Sequence, residues 1–452
     1  MNRSLHFIPL LALAILLVQC EPNVSERVPT SGQADFSTFI SVGNSLTAGY
    51  ADNALHRQGQ EGSFPSILAR QFKAAGGGDF VQPLVAPGVG SDATGNARLT
   101  LQVVDGNLSP APAAAQGQEI FGDRIHPVHN LGVPGARTYH LLADNYGNPA
   151  AGIGNFNPFF TRFMSEASTS VIADAVALNP TFFTLWIGNN DVLGYATAGG
   201  TGVVHEAPVP PQNIAGNDIT PVAVFSASID NILNALTGSG ARGVVLNIPD
   251  VTSIPFFTTV PWNGLVLTAE QAAQLRAGYA AQGVPEPLIP DFQEGSNGFI
   301  IADEDEALGF RMATGEDHIL LTVPRANLQT AGWGSTVPIP NQFTLRSDQV
   351  AAARNAVTQF NNVLQAAANA RNLPYIDMNS VLQQATNPGL VFDAVQMNTV
   401  FVQGGIFSLD GVHLTPRGSA VVANIVLDAI NQAYGASVSP VNVADFEGVR
   451  FP

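Results

Sequence analysis

Two separated stretches of the chain carry residue types that could perform nucleophilic chemistry. Ser45 follows an apolar, β-branched run that ends at Gly43, and small residues after it open a helix. A serine at the carboxyl end of a strand in an open α/β sheet stands where ligands bind, beside the free N–H groups of the helix start. Asp410 and His413 lie three residues apart, just before a second helix start. That offset lets the carboxylate hold one imidazole nitrogen while the other points away, as a general base requires.

Two further polar turns follow apolar runs and could assist the same chemistry. Asn190 lies in a Gly-Asn-Asn-Asp turn after the apolar segment 181–187, and its amide could donate to an oxyanion. Gly135 lies in a turn where a backbone N–H could face a ligand without obstruction by a side chain. Each feature also has a purely structural interpretation. A serine can be only a helix cap, an Asp-x-x-His pair can be only a loop staple, and Asn and Gly favour turns.

These turns need elements that hold them, and the hydrophobic pattern predicts strands and helices in alternation. Strands are expected near 36–43, 127–133, 181–187, 243–248 and 374–377, and the continuous apolar run at 181–187 is of the kind that is buried on both faces of a parallel sheet. Amphipathic helices are expected over 63–75 and 222–236, and another is expected to be capped by Ser347. The last helix is expected to have Thr415 as its cap and Pro416 as its first residue.

Together, the order and spacing of these motifs resemble the four sequence blocks of the SGNH hydrolases, also called the GDSL esterase and lipase family. The resemblance extends over about 36–434, and insertions interrupt it. It implies a three-layer α/β/α fold with a flavodoxin-like parallel sheet of about five strands. The matching segments are Gly43-Asn44-Ser45-Leu46, Asn130 to Gly135, Gly188-Asn189-Asn190-Asp191 and Asp410-Gly411-Val412-His413.

The resemblance also implies roles for the chemical residues. Ser45 would be the nucleophile, His413 the general base, and Asp410 the residue that orients His413. The N–H groups of Ser45 and Gly135, with the side chain of Asn190, would form the oxyanion hole. The family requires no metal and no organic cofactor.

One residue departs from the family pattern. The aspartate that usually precedes the serine is Asn44 here, which keeps an acceptor oxygen but loses the charge. Because that aspartate is not the partner of the histidine, activity is expected to survive.

The implied activity is two-step hydrolysis of carboxylic esters, with lipid or short acyl esters as the substrates. Removal of acetyl groups from carbohydrates by the same fold is an alternative. A non-catalytic lipoprotein that binds surfaces is another. A cluster of phenylalanines at 156, 159, 160 and 163 is either the core of a small insertion or an apolar wall for an acyl chain.

The N-terminus is expected to direct export and anchoring. Residues 1–19 carry Arg3 and a short apolar run, and the chain's single cysteine, Cys20, follows. This resembles a bacterial lipoprotein signal, in which the cysteine is lipidated, although Gln19 departs from the small residue that is usual there. A plain secretory signal is the alternative. The expected location is the cell envelope, with an outer-membrane lipid anchor that faces the periplasm or the surface.

Composition limits the partners and the domain count. The formal net charge of −17 argues against nucleic acid as a partner, so neutral small-molecule or lipid esters are expected. The acidic run at 303–306 lacks the spacing of a calcium loop and is interpreted as a solvated face. The expected organisation is a tether at 20–33, one hydrolase domain at 34–437 and a tail at 438–452. Insertions are expected at about 78–121, 147–166, 194–218 and 262–342.

Overall fold

A computed structural model describes residues 28–104, 106–117, 124–152 and 154–452. The predicted signal segment and Cys20 lie outside these residues. The strands are β1 (Phe39–Gly43), β2 (Leu99–Val104), β3 (Asn107–Pro112), β4 (Asn130–Gly132), β5 (Phe182–Trp186), β6 (Arg242–Leu246), β7 (Leu265–Leu267), β8 (Gly295–Asn297), β9 (Ile300–Ala302), β10 (Phe310–Met312), β11 (His318–Ile319), β12 (Thr344–Leu345), β13 (Tyr375–Ile376), β14 (Leu390–Phe392) and β15 (Val395–Met397).

The helices connect these strands and cover the central sheet. They are α1 (Ser45–Ala48), α2 (Arg57–Glu61), α3 (Phe64–Ala74), α4 (Pro158–Thr161), α5 (Val171–Ala177), α6 (Asn190–Thr197), α7 (Val222–Thr237), α8 (Pro255–Thr258), α9 (Ala269–Ala281), α10 (Arg325–Thr330), α11 (Ser347–Asn369), α12 (Met378–Thr386) and α13 (Pro416–Tyr434). The Pro416 start of α13, capped by Thr415 Oγ1 on the Gly418 N–H at 3.0 Å, agrees with the sequence prediction.

Five parallel strands form the central sheet in the order β13-β6-β5-β1-β4. Counted by their appearance in the chain, the order is 2-1-3-4-5, which is the flavodoxin-like arrangement. All residues of β1, β4 and β5 are buried, so helices must cover both faces of the sheet. The predicted α/β/α fold with a five-stranded parallel sheet is therefore confirmed.

Aromatic side chains join the sheet to its helices. Phe182 on β5 is fully buried and makes edge contacts with Phe36, Phe72 of α3 and Tyr434 of α13. Elsewhere in the same core, the rings of Phe225 (α7) and Phe360 (α11) stack at 4.1 Å. These contacts fix the helix layers, which in turn hold the turns at the strand ends.

The insertions contain structure that the sequence pattern did not indicate. In 78–121, β2 and β3 form an antiparallel hairpin. The segment 262–342 builds two small apolar clusters of its own, one around Ile301 and one around Phe292. In the same segment, residues 269–281 form the helix α9.

Two local sequence predictions were wrong. Ser347 is the first residue of α11 and Arg346 is its flanking residue, because the Gln349 side chain accepts the Arg346 N–H at 2.8 Å. Asp303 is not part of a solvated face. It is buried and its Oδ2 accepts a hydrogen bond from Arg311 Nε at 2.7 Å, so only the following acidic residues remain exposed.

The two ends of the described chain pack on the domain. The Gln33 N–H donates to the Tyr434 carbonyl at 2.8 Å, and Val443 in the C-terminal segment is fully buried. Within the described ranges, no helix has the length and apolarity that crossing a bilayer requires.

Truncation of the central aromatic side chain should measure how much this packing contributes. We expect Phe182→Ala to lower the free energy of unfolding by about 3–5 kcal/mol, because a fully buried ring leaves a cavity. Urea unfolding followed by circular dichroism tests this. Phe451→Ala, at a half-exposed ring, should change the free energy little. A loss below about 1 kcal/mol for Phe182→Ala would show that the core relaxes around the gap.

Candidate active site

Ser45 lies at the turn between β1 and α1, and this turn is held from several sides. Asn44 is buried and caps the helix, since its Oδ1 accepts the Leu46 N–H at 3.0 Å. The Asn44 Nδ2 donates to Asn189 Oδ1 at 3.0 Å. A Cβ on Gly43 would lie 2.2 Å from the Thr47 hydroxyl, so the strand end requires glycine. The serine thus occupies a fixed position at the carboxyl edge of the sheet.

His413 joins Ser45 to Asp410 by two hydrogen bonds. Its Nε2 lies 2.9 Å from Ser45 Oγ, and its Nδ1 lies 2.9 Å from Asp410 Oδ2. With Nδ1–H donating to the carboxylate, Nε2 is the basic nitrogen that faces the hydroxyl. Two separate sequence motifs, the serine turn and the Asp-x-x-His pair, are therefore brought into one chain of hydrogen bonds.

The surroundings of Asp410 keep its carboxyl group ionised. Burial would raise its pKa, but His413 and several N–H donors overcome that effect and hold the pKa far below the usual value. The backbone N–H groups of Asn53, Val412 and His413 all donate to this carboxylate at 2.8–2.9 Å. A permanent carboxylate at Nδ1 stabilises an imidazolium, which is the form His413 would take after it accepts a proton.

The turn that carries Asp410 and His413 is itself anchored. Gly411 adopts a φ of +73° and its carbonyl accepts the Phe256 N–H at 2.9 Å. The Phe256 carbonyl accepts the Leu321 N–H at 2.9 Å, so the largest insertion braces this turn. The ring of Tyr50 lies 4.8 Å from the His413 ring and restricts its position.

The predicted oxyanion donors lie on neighbouring strand ends. Gly135 has a φ of +80°, and a Cβ there would meet no atom within 4 Å, so open space faces its backbone. The first helical N–H of α1, at Ser45, has no intrahelical acceptor. Asn190 begins α6 and its Nδ2 donates one hydrogen bond, at 2.9 Å, to the Ala136 carbonyl. A primary amide carries two N–H donors, so one remains for a ligand.

Some residues around the site were not foreseen in the sequence. Asn189 is buried and, as the partner of Asn44, links the β1 and β5 turns. Asp191 is fully buried and accepts from the Thr138 N–H and hydroxyl at 3.0 and 2.8 Å. Burial raises the pKa of Asp191 to about 6. Their positions beside the Gly-Asn-Asn-Asp motif were the only signal in the sequence.

Asp52 is a second unforeseen carboxylate, behind the Asp410 loop. Its Oδ1 accepts the Leu409 N–H at 3.0 Å, and its own N–H donates to the Ser408 hydroxyl at 3.0 Å. Burial, together with the charge of Asp410, raises the pKa of Asp52 to about 6. This side chain therefore positions the loop that holds the Asp410–His413 pair.

A cleft of about 810 Å³ opens beside Ser45 and His413. Its walls come mainly from α12, α13 and the segment 406–414, with Trp186 at the end of β5. The phenylalanine cluster does not line this cleft. Phe159, Phe160 and Phe163 are buried in apolar clusters, so the core interpretation of that run is the right one.

Comparisons with known proteins give little further information. No protein-family model matches the sequence, and no curated protein matches it. Among solved structures, the chain is similar to a lipase/acylhydrolase from Enterococcus faecalis at 11% sequence identity. The alignment covers 89% of this chain and 98% of that chain, with a TM-score of 0.33. A similarity at that level supports no argument about function.

The half-buried Asp52 should make the free energy of unfolding depend on pH. Because its folded pKa of about 6 exceeds the usual unfolded value near 3.8, the protonated carboxyl favours the folded state. That contribution is complete below about pH 4 and is lost as pH rises through about 6. We expect Asp52→Asn to reduce the fall in unfolding free energy between pH 4.5 and 7 by about 2 kcal/mol.

Urea unfolding at several pH values measures this difference. Asp144→Asn, at an exposed position, is the control and should follow the wild-type curve. Parallel curves for wild type and Asp52→Asn would contradict the prediction.

Proposed function

We propose that this chain is a serine hydrolase of carboxylic esters. The observation that carries the proposal is the chain of hydrogen bonds from Asp410 through His413 to Ser45, with 2.9 Å at both links. A serine hydroxyl beside a basic imidazole nitrogen, whose other nitrogen is held by a buried carboxylate, is the arrangement that activates a nucleophile. The sequence resemblance to the SGNH hydrolases supports the same roles.

In the proposed first step, Ser45 Oγ attacks the ester carbonyl while His413 Nε2 removes the hydroxyl proton. The carbonyl oxygen becomes an oxyanion, which the Ser45 and Gly135 N–H groups and the free Asn190 N–H would stabilise. His413 then gives its proton to the leaving alcohol as the carbon–oxygen bond breaks. An acyl group remains on Ser45.

In the second step, water replaces the alcohol. His413 takes a proton from water as it attacks the acyl-serine, and returns that proton to Ser45 Oγ as the carboxylic acid leaves. Asp410 remains ionised throughout, since its pKa lies far below the usual range. Every proton that moves is therefore carried by His413.

We also propose that the protein acts while anchored to a membrane through Cys20. Thr30 follows Cys20 by ten positions, and its N–H donates to the Ser437 hydroxyl on the domain at 3.0 Å. Ten residues span at most about 35 Å, so an anchor at Cys20 would keep the domain close to the lipid surface. An exported, membrane-attached esterase is therefore the proposed form.

Loss of the Ser45 hydroxyl should remove the activity. We expect the purified protein to hydrolyse chromogenic esters, and Ser45→Ala to lower kcat by at least about 10⁴-fold because no nucleophile remains. Release of p-nitrophenol from a series of acyl esters measures this.

Ser168→Ala, at an exposed serine, is the matched control and should keep the wild-type rate. If Ser45→Ala remains as active as the wild type, Ser45 is not the nucleophile. If the wild type hydrolyses no ester, the non-catalytic binding protein becomes the better interpretation.

Removal of the Asn190 amide should affect the transition state more than substrate binding. We expect Asn190→Ala to lower kcat by about 10²–10³-fold with little change in KM, because one lost N–H would serve the oxyanion and the other binds the Ala136 carbonyl and not the substrate. Asn190→Asp should be no better, since a carboxylate supplies no donor. Steady-state kinetics on one ester, with exposed Asn231→Ala as control, tests this. An unchanged kcat in Asn190→Ala would remove Asn190 from the oxyanion hole.

A further inference from the structure

From the cleft beside Ser45, we infer that the scissile ester carries a hydrocarbon chain of medium length, which lies along the cleft. This inference rests on the proposed function and names its substrate class. The cleft begins at Ser45 and His413 and extends along α12 and α13.

The distribution of polar groups in the cleft argues for a hydrocarbon. In the described part of the chain, its polar side chains are the catalytic pair Ser45 and His413 and the three asparagines around them, Asn44, Asn189 and Asn190. The remaining wall is apolar, and no Asp, Glu, Lys or Arg side chain lines it. A sugar placed there would lose water from its hydroxyls without receiving hydrogen bonds, at a cost of about 1–3 kcal/mol for each. A methylene chain gains free energy in the same place.

The positions of the cleft-lining residues along α12 give the length of the cleft. Met378, Val381, Leu382 and Ala385 of this helix all line it, and α13 supplies Val421 and Val422. Seven residues separate Met378 from Ala385, which is about 10 Å along a helix axis. One leaflet of a bilayer has a hydrocarbon depth of about 15 Å. The wall therefore covers about two thirds of a membrane acyl chain, which corresponds to a chain of medium length.

The hydrocarbon can belong to the acid or to the alcohol of the ester, and two substrate series distinguish these sources. The first contains p-nitrophenyl esters from acetate to palmitate. The second contains acetates of ethanol, octanol and dodecanol. All are used on the full protein below the concentrations at which they aggregate. We expect kcat/KM to rise in one series by up to about fourfold per methylene, and to level off at medium length.

Variants of α12 test whether this cleft is responsible. Val381→Trp narrows the cleft and should lower the preference for long chains, measured as the octanoyl-to-acetyl or the octyl-to-ethyl ratio of kcat/KM. We expect that ratio to fall at least about tenfold, because the contacts of about two methylene groups are lost. Ala385→Phe fills it further along the helix and should shorten the preferred chain. Gln383→Trp places the same ring on the exposed side of α12 and should keep the wild-type ratio.

Several outcomes would overturn the inference without affecting the proposed function. Ester hydrolysis that depends on Ser45 but is independent of chain length in both series is one. Equal ratios for Val381→Trp, Ala385→Phe and wild type are another.

If no ester is hydrolysed, calorimetric measurement of dodecanoate binding to the protein separates the proposed function from the hydrocarbon site. Binding that Val381→Trp weakens and Gln383→Trp does not would retain the hydrocarbon site, and no binding would remove it.

Discussion

The common direction of the five sheet strands is the constraint on which this protein depends. Because the strands are parallel, their carboxyl ends meet at one edge, and the turns after β1, β4 and β5 carry Ser45, Gly135 and Asn190 to it. Two amide hydrogen bonds, from Asn44 to Asn189 and from Asn190 to the Ala136 carbonyl, join neighbouring turns. The proposed nucleophile and the proposed oxyanion donors are therefore positioned by the backbone architecture before any loop contributes.

His413 lies on a loop outside the sheet, and its hydrogen bond to the Asp410 carboxylate holds the imidazole at this edge. Asp410 compensates for its burial with three backbone N–H donors and the His413 ring, whereas Asp52 behind it remains a poorly compensated carboxyl with a raised pKa. The large insertion contributes through Leu321, whose N–H donates to the carbonyl of Phe256, and the Phe256 N–H in turn donates to the Gly411 carbonyl. The insertion thus stabilises the geometry of the proposed active site, and the C-terminal helices supply the apolar cleft beside it.

Much of the fold was predictable because it depends on local chain chemistry. Continuous apolar runs such as 181–187 identify strands that are buried on both faces, and Thr415-Pro416 identifies a helix start. The failures were also local in origin. Ser347 has a side chain that suits a helix cap, but the Gln349 side chain accepts the Arg346 N–H, so the helix begins at Ser347 itself. Asp303 is shielded from solvent because Arg311, across a hairpin, forms an ion pair with it. Neither partner could be identified from spacing alone.

The sequence by itself determined the order of the elements and the residue types at the strand ends, because hydrophobic periodicity and turn chemistry act over a few residues. Only the tertiary structure decided which of those residues meet. Ser45 and His413 are 368 positions apart, and their 2.9 Å contact depends on how α13 packs against the sheet. The cleft likewise brings Trp186 together with α12 and α13, whereas Phe159, Phe160 and Phe163 are buried away from it. These long-range contacts form because packing minimises exposed apolar surface over the whole chain.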